Sequence, residues 1–164
     1  MSGVVRILGV DPGSVTTGYG IVDSDGRSSR HVAHGCIRAG RGGIPGRLGV
    51  IHRELAAVVA EHAPAEMAVE EVFLARNPMA ALKLGQARGA AICAGAAAGL
   101  EVAEYPARMV KQAVVGVGGA AKAQVQHMVA VLLDLAGEPI ARTPRTRSRW
   151  RCATRTRARA RRPR

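Results

Sequence analysis

Three acids stand where a sheet could present them to a metal. Asp11 closes an apolar run, Val4 to Val10, and is followed at once by Pro12-Gly13, while Glu70 and Glu71 sit side by side in a second apolar run, Met67 to Phe73. Near-continuous Val, Ile and Leu read as strands buried on both faces. A carboxylate at the mouth of such a strand is held on a rigid platform, and carboxylate oxygens are hard ligands suited to magnesium or manganese. Asp-Pro-Gly is also good turn chemistry on its own, so Asp11 by itself does not establish a site. Successive strand side chains face opposite ways, so only one of Glu70 and Glu71 shares a side of the sheet with Asp11. The pattern alone does not choose between them.

The elements that would position these acids follow from the hydrophobic pattern. Thr17 to Val22 reads as a second strand after a short turn, and residues 31 to 38 as a third, with Asp23 to Arg30 the polar turn between them. His31 and His34 could ligate metal, but this polar stretch before Cys36 reads better as solvated surface. A Gly-rich loop, Ala39 to Gly46, precedes an amphipathic helix from about Arg47 to Glu61, carried by Leu48, Ile51, Leu55, Val58 and Val59 and ended by Pro64. Asn77-Pro78 supplies an N-cap and a proline in the first turn for a helix running to about Ala98. Its small residues Ala87, Gly89, Ala90, Ala94 and Ala97 would let another helix approach closely. Glu101 to Pro106 is a fifth strand, and Gly116 to Gly119 lead into a last helix from about Ala120 to Leu135. Three strands, a helix, then two strands separated by a helix predict an α/β fold with a five-stranded mixed sheet.

Composition bounds the function classes. The chain of 164 residues is long enough for one domain with a real core. No window approaches the roughly 18 apolar residues of a membrane span, and no secretory signal is visible at the N-terminus, so a cytoplasmic protein is expected. Cys36, Cys93 and Cys152 are odd in number without CxxC spacing, which speaks against a disulfide framework or a zinc site. A net charge of +12 suggests nucleic acid, but residues 142–164 hold eleven Arg and no acid, which leaves only +1 for residues 1–141. The body is nearly neutral and the basicity is one terminal block.

Taken together, the motifs resemble a known family. Gly9-Val10-Asp11-Pro12-Gly13 with Thr17-Gly18-Tyr19-Gly20 is similar to the opening of the RuvC-type Holliday junction resolvases. Ala68 to Phe73, Asn77, and Ala81-Leu82-Lys83-Leu84-Gly85-Gln86-Ala87-Arg88-Gly89 resemble its second motif and the helix after it. Val110-Lys111-Gln112, Val114-Val115-Gly116 and Lys122 to Met128 continue the match through about residue 141. The resemblance implies a ribonuclease-H-like fold with helices on both faces and a homodimer. It implies symmetric nicking of four-way junction DNA in recombination and repair, with two Mg2+ or Mn2+ ions per site, and a branch-migration helicase as a further partner. By position, Asp11 and Glu70 would be the metal-binding catalytic acids, with Glu71 set aside. Phe73 would contact DNA bases near the junction centre, and Lys111 and Lys122 would contact DNA. Lys122, near a helix start behind the glycine loop, also suits phosphate binding by free backbone N–H groups. His127 matches as well, with a packing role expected for it.

The chain departs from the family at its end. The family closes on a helix of the form Asp-Ala-Ala-Asp-Ala-Leu-Ala, whereas here Pro139-Ile140-Ala141 gives way to Arg142-Thr143-Pro144-Arg145-Thr146-Arg147 with no acid and no helical period. Read one base displaced, the codons of Arg142/Thr143 and of Arg145/Thr146 permit Asp, and those of Thr143/Pro144 and Pro144/Arg145 permit Ala. Arg147/Ser148, Arg149/Trp150 and Arg151/Cys152 then give apolar codons, and the whole is compatible with Asp-Ala-Ala-Asp-Ala-Leu-Ala-Val-Ala-Leu-Cys-His. The expectation is a nuclease domain over residues 1–141 and a one-base frameshift near Ala141. The Arg-rich stretch 142–164 is then a disordered by-product, and the final helix with its two further acids is missing. A genuine basic tail adapted to DNA is the alternative. Two other functions compete: a junction-binding protein without catalysis, and an actin- or sugar-kinase-like ATPase. The latter needs a second phosphate-binding glycine segment and a longer chain.

Overall fold

The computed structural model describes residues 3–71 and 77–133, the side chains of residues 122, 126 and 130 excepted. In chain order the elements are β1 (Val5–Asp11), β2 (Thr16–Ser24), β3 (Ser29–Arg38), α1 (Ile44–His62), β4 (Glu66–Glu70), α2 (Pro78–Ala97), β5 (Glu101–Tyr105), α3 (Ala107–Val115) and α4 (Lys122–Leu132). The five strands form one sheet in the order β3-β2-β1-β4-β5. β1 is antiparallel to β2 and parallel to β4, and β4 is parallel to β5, so the expected mixed sheet is present with β1 at its centre. That position explains the unbroken apolar run: Ile7, Leu8 and Val10 are each at most 2% exposed.

Alternation along the strands divides the core in two. Leu8, Val10, Ile21, Met67 and Val69 point to the side covered by α1 and α2, where they pack against Ile51, Leu55, Val58, Ala87, Ala91 and Ala94. Ile7 and Val22 point to the other side and meet Val114 of α3 and Val125 and Val129 of α4; Ala68 and Tyr105 there meet Val110. Helices therefore cover both faces. Fully burying each Ile or Leu of the first layer is worth about 1.5–3 kcal/mol.

Two boundaries and two further features differ from expectation. α1 starts at Ile44, because proline is tolerated in a first turn and Pro45 falls there. The polar turn after β2 is shorter than residues 23–30, since Asp25 accepts the N–H groups of Arg27 and Ser28 (2.8 and 2.7 Å) and closes it. The sequence reading passed over α3. This helix has only nine residues, too short to show more than one apolar repeat, Val110 and Val114. The small face of α2 does admit another helix closely, and part of it is taken by α1 of the same chain: Ala87 and Ala94 are in the shared core. At Asn77 the expectation holds in detail. Its Oδ1 accepts from the N–H groups of Met79 (2.9 Å) and Ala80 (3.3 Å), with Pro78 in the first turn.

Candidate active site

Strand register brings Asp11 and Glu70 together. Val10 lies opposite Val69 in the parallel pair β1–β4, so the next residues, Asp11 and Glu70, are neighbours at the C-terminal ends of both strands. Val10 and Val69 face α1 and α2. Alternation then turns both carboxylates to the α3–α4 side, and Glu71, one residue on, leaves that side. Ligand sites in parallel sheets form just outside such strand ends. Both acids are half-buried.

The turn after Asp11 is built to keep it still. The Thr17 hydroxyl donates to the Gly13 carbonyl (3.1 Å) and accepts from the Gly13 N–H (3.3 Å), and Thr17 is fully buried. Gly13 is required here for space: a Cβ on it would lie 2.3 Å from the Thr16 carbonyl oxygen. At the next strand, Asp11 faces Gly18, which removes any side chain between Asp11 and Cys36 of β3, itself opposite Gly18.

The remaining candidates fall as follows. Lys111 is half-buried on α3, which begins two residues after Tyr105, the partner of Glu70 across the sheet. Lys122 is the first residue of α4, where Gln124 Oε1 accepts the Ala121 N–H at 2.9 Å. Phe73 lies outside the described residues, as do residues 134–141 and the Arg-rich segment from 142. His127 is exposed on α4, so the packing role expected of it is wrong; Val125, Val129 and Leu133 hold the buried positions of that region.

His31 and His34 are not a solvated stretch either. Both are half-buried in β3, with His31 Nε2 and His34 Nδ1 2.7 Å apart. A register shift opposite Ile21/Val22 leaves one extra residue in β3, and this bulge puts two histidines three apart on one face. Sequence gave no signal for it, because a bulge changes parity without changing composition.

The donor set suits a hard dication in kind: two adjacent carboxylates, oxygen only. In number it is short, since among the described residues no group of three His, Cys, Asp or Glu could hold a metal ion. Among them, too, no helix is long and apolar enough to cross a membrane.

Known proteins resemble this chain over most of its length. Residues 7–144 match the family described as crossover junction endodeoxyribonuclease RuvC. The enzyme of that name from Marinobacter nauticus is 58% identical over 81% of this chain and 76% of its own length. That from Alkalilimnicola ehrlichii is 57% identical over 82% and 81%. Among solved structures, Thermus thermophilus RuvC in complex with its Holliday junction substrate superposes with a TM-score of 0.83 at 32% identity, covering 96% of this chain and 95% of that one. The yeast mitochondrial Holliday junction resolvase Ydc2 shares the fold at 10% identity, with a TM-score of 0.71.

Proposed function

Because the chain belongs to the RuvC family of crossover junction endodeoxyribonucleases, we propose that Asp11 and Glu70 are its metal-binding catalytic acids and four-way junction DNA its substrate. By family it is a hydrolase acting on DNA, and the family is metal-dependent. The observation that carries the residue assignment is the parallel β1–β4 register, which sets the two carboxylates side by side on one face of the sheet. Asp11 and Glu70 would hold Mg2+ or Mn2+, two ions in the complete site, and the metal would supply activation of water and stabilisation of the leaving 3′ oxygen. The chain's own part is to keep the two oxygen ligands fixed through Thr17 and Gly13 and to exclude a side chain at Gly18. Phe73 would contact bases near the junction centre, and Lys111 and Lys122 would neutralise phosphates.

A homodimer fits a two-fold substrate. Met79, Leu82, Gln86, Cys93 and Ala96 make an exposed, mostly apolar outer stripe on α2 at helical spacing, and this supports α2 as the subunit contact. Crosslinking through Cys93 would test it. A branch-migration helicase partner and a cytoplasmic location follow from the family role alone.

The Arg-rich stretch reads best as a frameshift product. The family match ends at residue 144, only three residues into it, and the displaced codons restore a helix with two acids at the family's spacing. The chain as written would bind branched DNA, partly through its eleven terminal Arg, and cleave it negligibly. The test is a four-way junction nicking assay in Mg2+ or Mn2+ on the written and the frame-restored chain. Nicking by the restored chain alone, lost on Asp11→Asn, supports the reading. Comparable nicking by the written chain, also lost on Asp11→Asn, would show that two acids suffice.

A further inference from the structure

One side of the candidate site has no assigned contact to DNA. Lys111 and Lys122 belong to α3 and α4; the β3 side of Asp11 carries nothing the family motifs name. Yet residues 26–53, which form β3, the loop after it and half of α1, contain six Arg and no acid. Most of these arginines are committed or distant from the site. Arg30 pairs with Asp23 at 3.1 Å, at the opposite end of β3, and Arg53 lies 3.7 Å from Glu54 on α1.

Arg38 is different in three respects. It is the last residue of β3, opposite Thr16, two residues beyond the row that contains Cys36, Gly18 and Asp11. Ile37 and Thr17 are buried on the α1–α2 side, so alternation gives Arg38 the same face of the sheet as Asp11 and Glu70. It is also exposed, and among the described residues it makes no ion pair with an acid.

Its backbone is anchored on both sides. The Ala39 N–H donates to the Val15 carbonyl (3.0 Å), extending the β2–β3 pairing past Arg38, and Ala39 is 6% exposed in the core. The loop beyond is tied by Arg47, whose Nε donates to the Gly42 carbonyl at 2.7 Å, and it carries a second exposed arginine, Arg41. Two strand spacings and two residues along the strand separate the Cα atoms of Arg38 and Asp11, roughly 12 Å. The long arginine side chain spans much of that gap.

We propose that Arg38, with Arg41 beside it, forms a phosphodiester-binding shelf on the β3 side of the site, holding the backbone phosphate next to the one that is cut. The guanidinium fork matches phosphate geometry and keeps its charge at any working pH. Arg38 is thereby a positioning residue: it fixes the register of the nicked strand across Asp11 and Glu70, opposite the lysines of α3 and α4. The inference rests on the assignment of Asp11 and Glu70 above.

The experiment measures binding of the full chain to a four-way junction in Ca2+ over a salt series, for the unsubstituted chain and for Arg38→Ala, Arg38→Lys and, as control, Arg53→Ala. The terminal arginines are common to all and cancel in the differences. Losing one phosphate contact should weaken binding several-fold and lower the salt slope by about 1. Arg38→Lys should keep the slope, and Arg53→Ala should match the unsubstituted chain. A junction with a neutral methylphosphonate next to the nicked position should lose the penalty of Arg38→Ala, because partners in one contact are not additive. An unchanged slope for Arg38→Ala, or a penalty that persists on the neutral linkage, overturns the shelf. The junction-over-duplex preference of the unsubstituted chain reads the assignment it rests on, so the two failures are distinguishable.

Discussion

The two faces of the sheet are built on opposite principles. On the α1–α2 side the central positions of β1 and β4 are apolar: Leu8, Val10, Met67 and Val69 are all fully buried. On the α3–α4 side the same strands offer Ile7 and Ala68 to the core, then Gly9, and end in Asp11 and Glu70. One face supplies stability and the other gives up packing to hold two like charges side by side. A one-residue slip in β1 would exchange the two sets, so the closed face fixes the register that the open face needs.

Asp11→Asn separates the two roles most sharply and has the largest expected effect. In the frame-restored chain it should take junction nicking below detection. It also removes one of two adjacent carboxylates, so thermal stability without metal should be unchanged or higher. A variant that both loses nicking and unfolds would mean that Asp11 is structural. The reverse case lies on the closed face. Leu55→Ala should cost about 2–5 kcal/mol in denaturant unfolding while leaving the affinity for junction DNA of the folded fraction intact. Gly95→Ala belongs here too. Its Cβ would sit 2.3 Å from the Met67 sulfur, and overpacking of this kind costs about 1–3 kcal/mol. Met67→Ala should then cost less in the Gly95→Ala chain than in the unsubstituted one, because part of the space it opens relieves the clash.

Why the closed face was legible in the sequence and the open one only in part follows from the same contrast. Burial on both sides leaves an apolar run that needs no context to read, and Asn77-Pro78 is a local device whose chemistry is complete in two residues. The expected strands and long helices are present for that reason. Which of Glu70 and Glu71 shares Asp11's side of the sheet is a long-range matter: it depends on parallel pairing of β4 with β1, which residue pattern alone did not give. α3 is nine residues with two buried valines, and the His31–His34 contact depends on a bulge; neither leaves a periodic signature. Arg38 escaped because a surface arginine at a strand end looks like ordinary solvated charge until the register places it on Asp11's face of the sheet, two strands away.

The open end of the sheet can be compared with its opposite end, where charge is paired. Arg6 of β1 donates Nε and Nη2 to both oxygens of Asp23 on β2 (2.8 and 3.1 Å) and Nη1 to the His62 carbonyl at the end of α1 (3.0 Å). The Arg6 hydrogen bonds hold the Asp23 carboxyl below its ordinary range, against the opposing effect of burial and with further help from the Arg6 and Arg30 charges. A lowered folded-state value contributes stability that is present above the unfolded value, near 3.9, and lost as pH falls through the folded one. Chemical denaturation between about pH 5 and pH 2 should therefore show a loss that Asp23→Asn reduces. At neutral pH the same variant should lower stability only modestly, given how exposed Arg6 is. A pH profile identical in the two proteins would remove this contact from the account.

The smallest effect expected tests whether the closed face is optimised throughout. Ala63 ends α1 with its N–H on the Val59 carbonyl (2.9 Å) and φ of 45°, and among the described residues it is the one non-glycine at positive φ. Pro64 follows and keeps the helix from continuing. For an L-residue with a Cβ this left-handed conformation costs roughly 1–2 kcal/mol. Glycine relieves that strain but raises the entropy of the unfolded chain, an opposing effect of up to about 1 kcal/mol. The two leave a net gain of several tenths of a kcal/mol for Ala63→Gly, measurable as a higher denaturant midpoint at constant slope. Junction binding should not respond, because α1 ends far from the strand termini that carry Asp11 and Glu70. A lower midpoint would mean that the Ala63 methyl makes a packing contact worth more than the strain it causes.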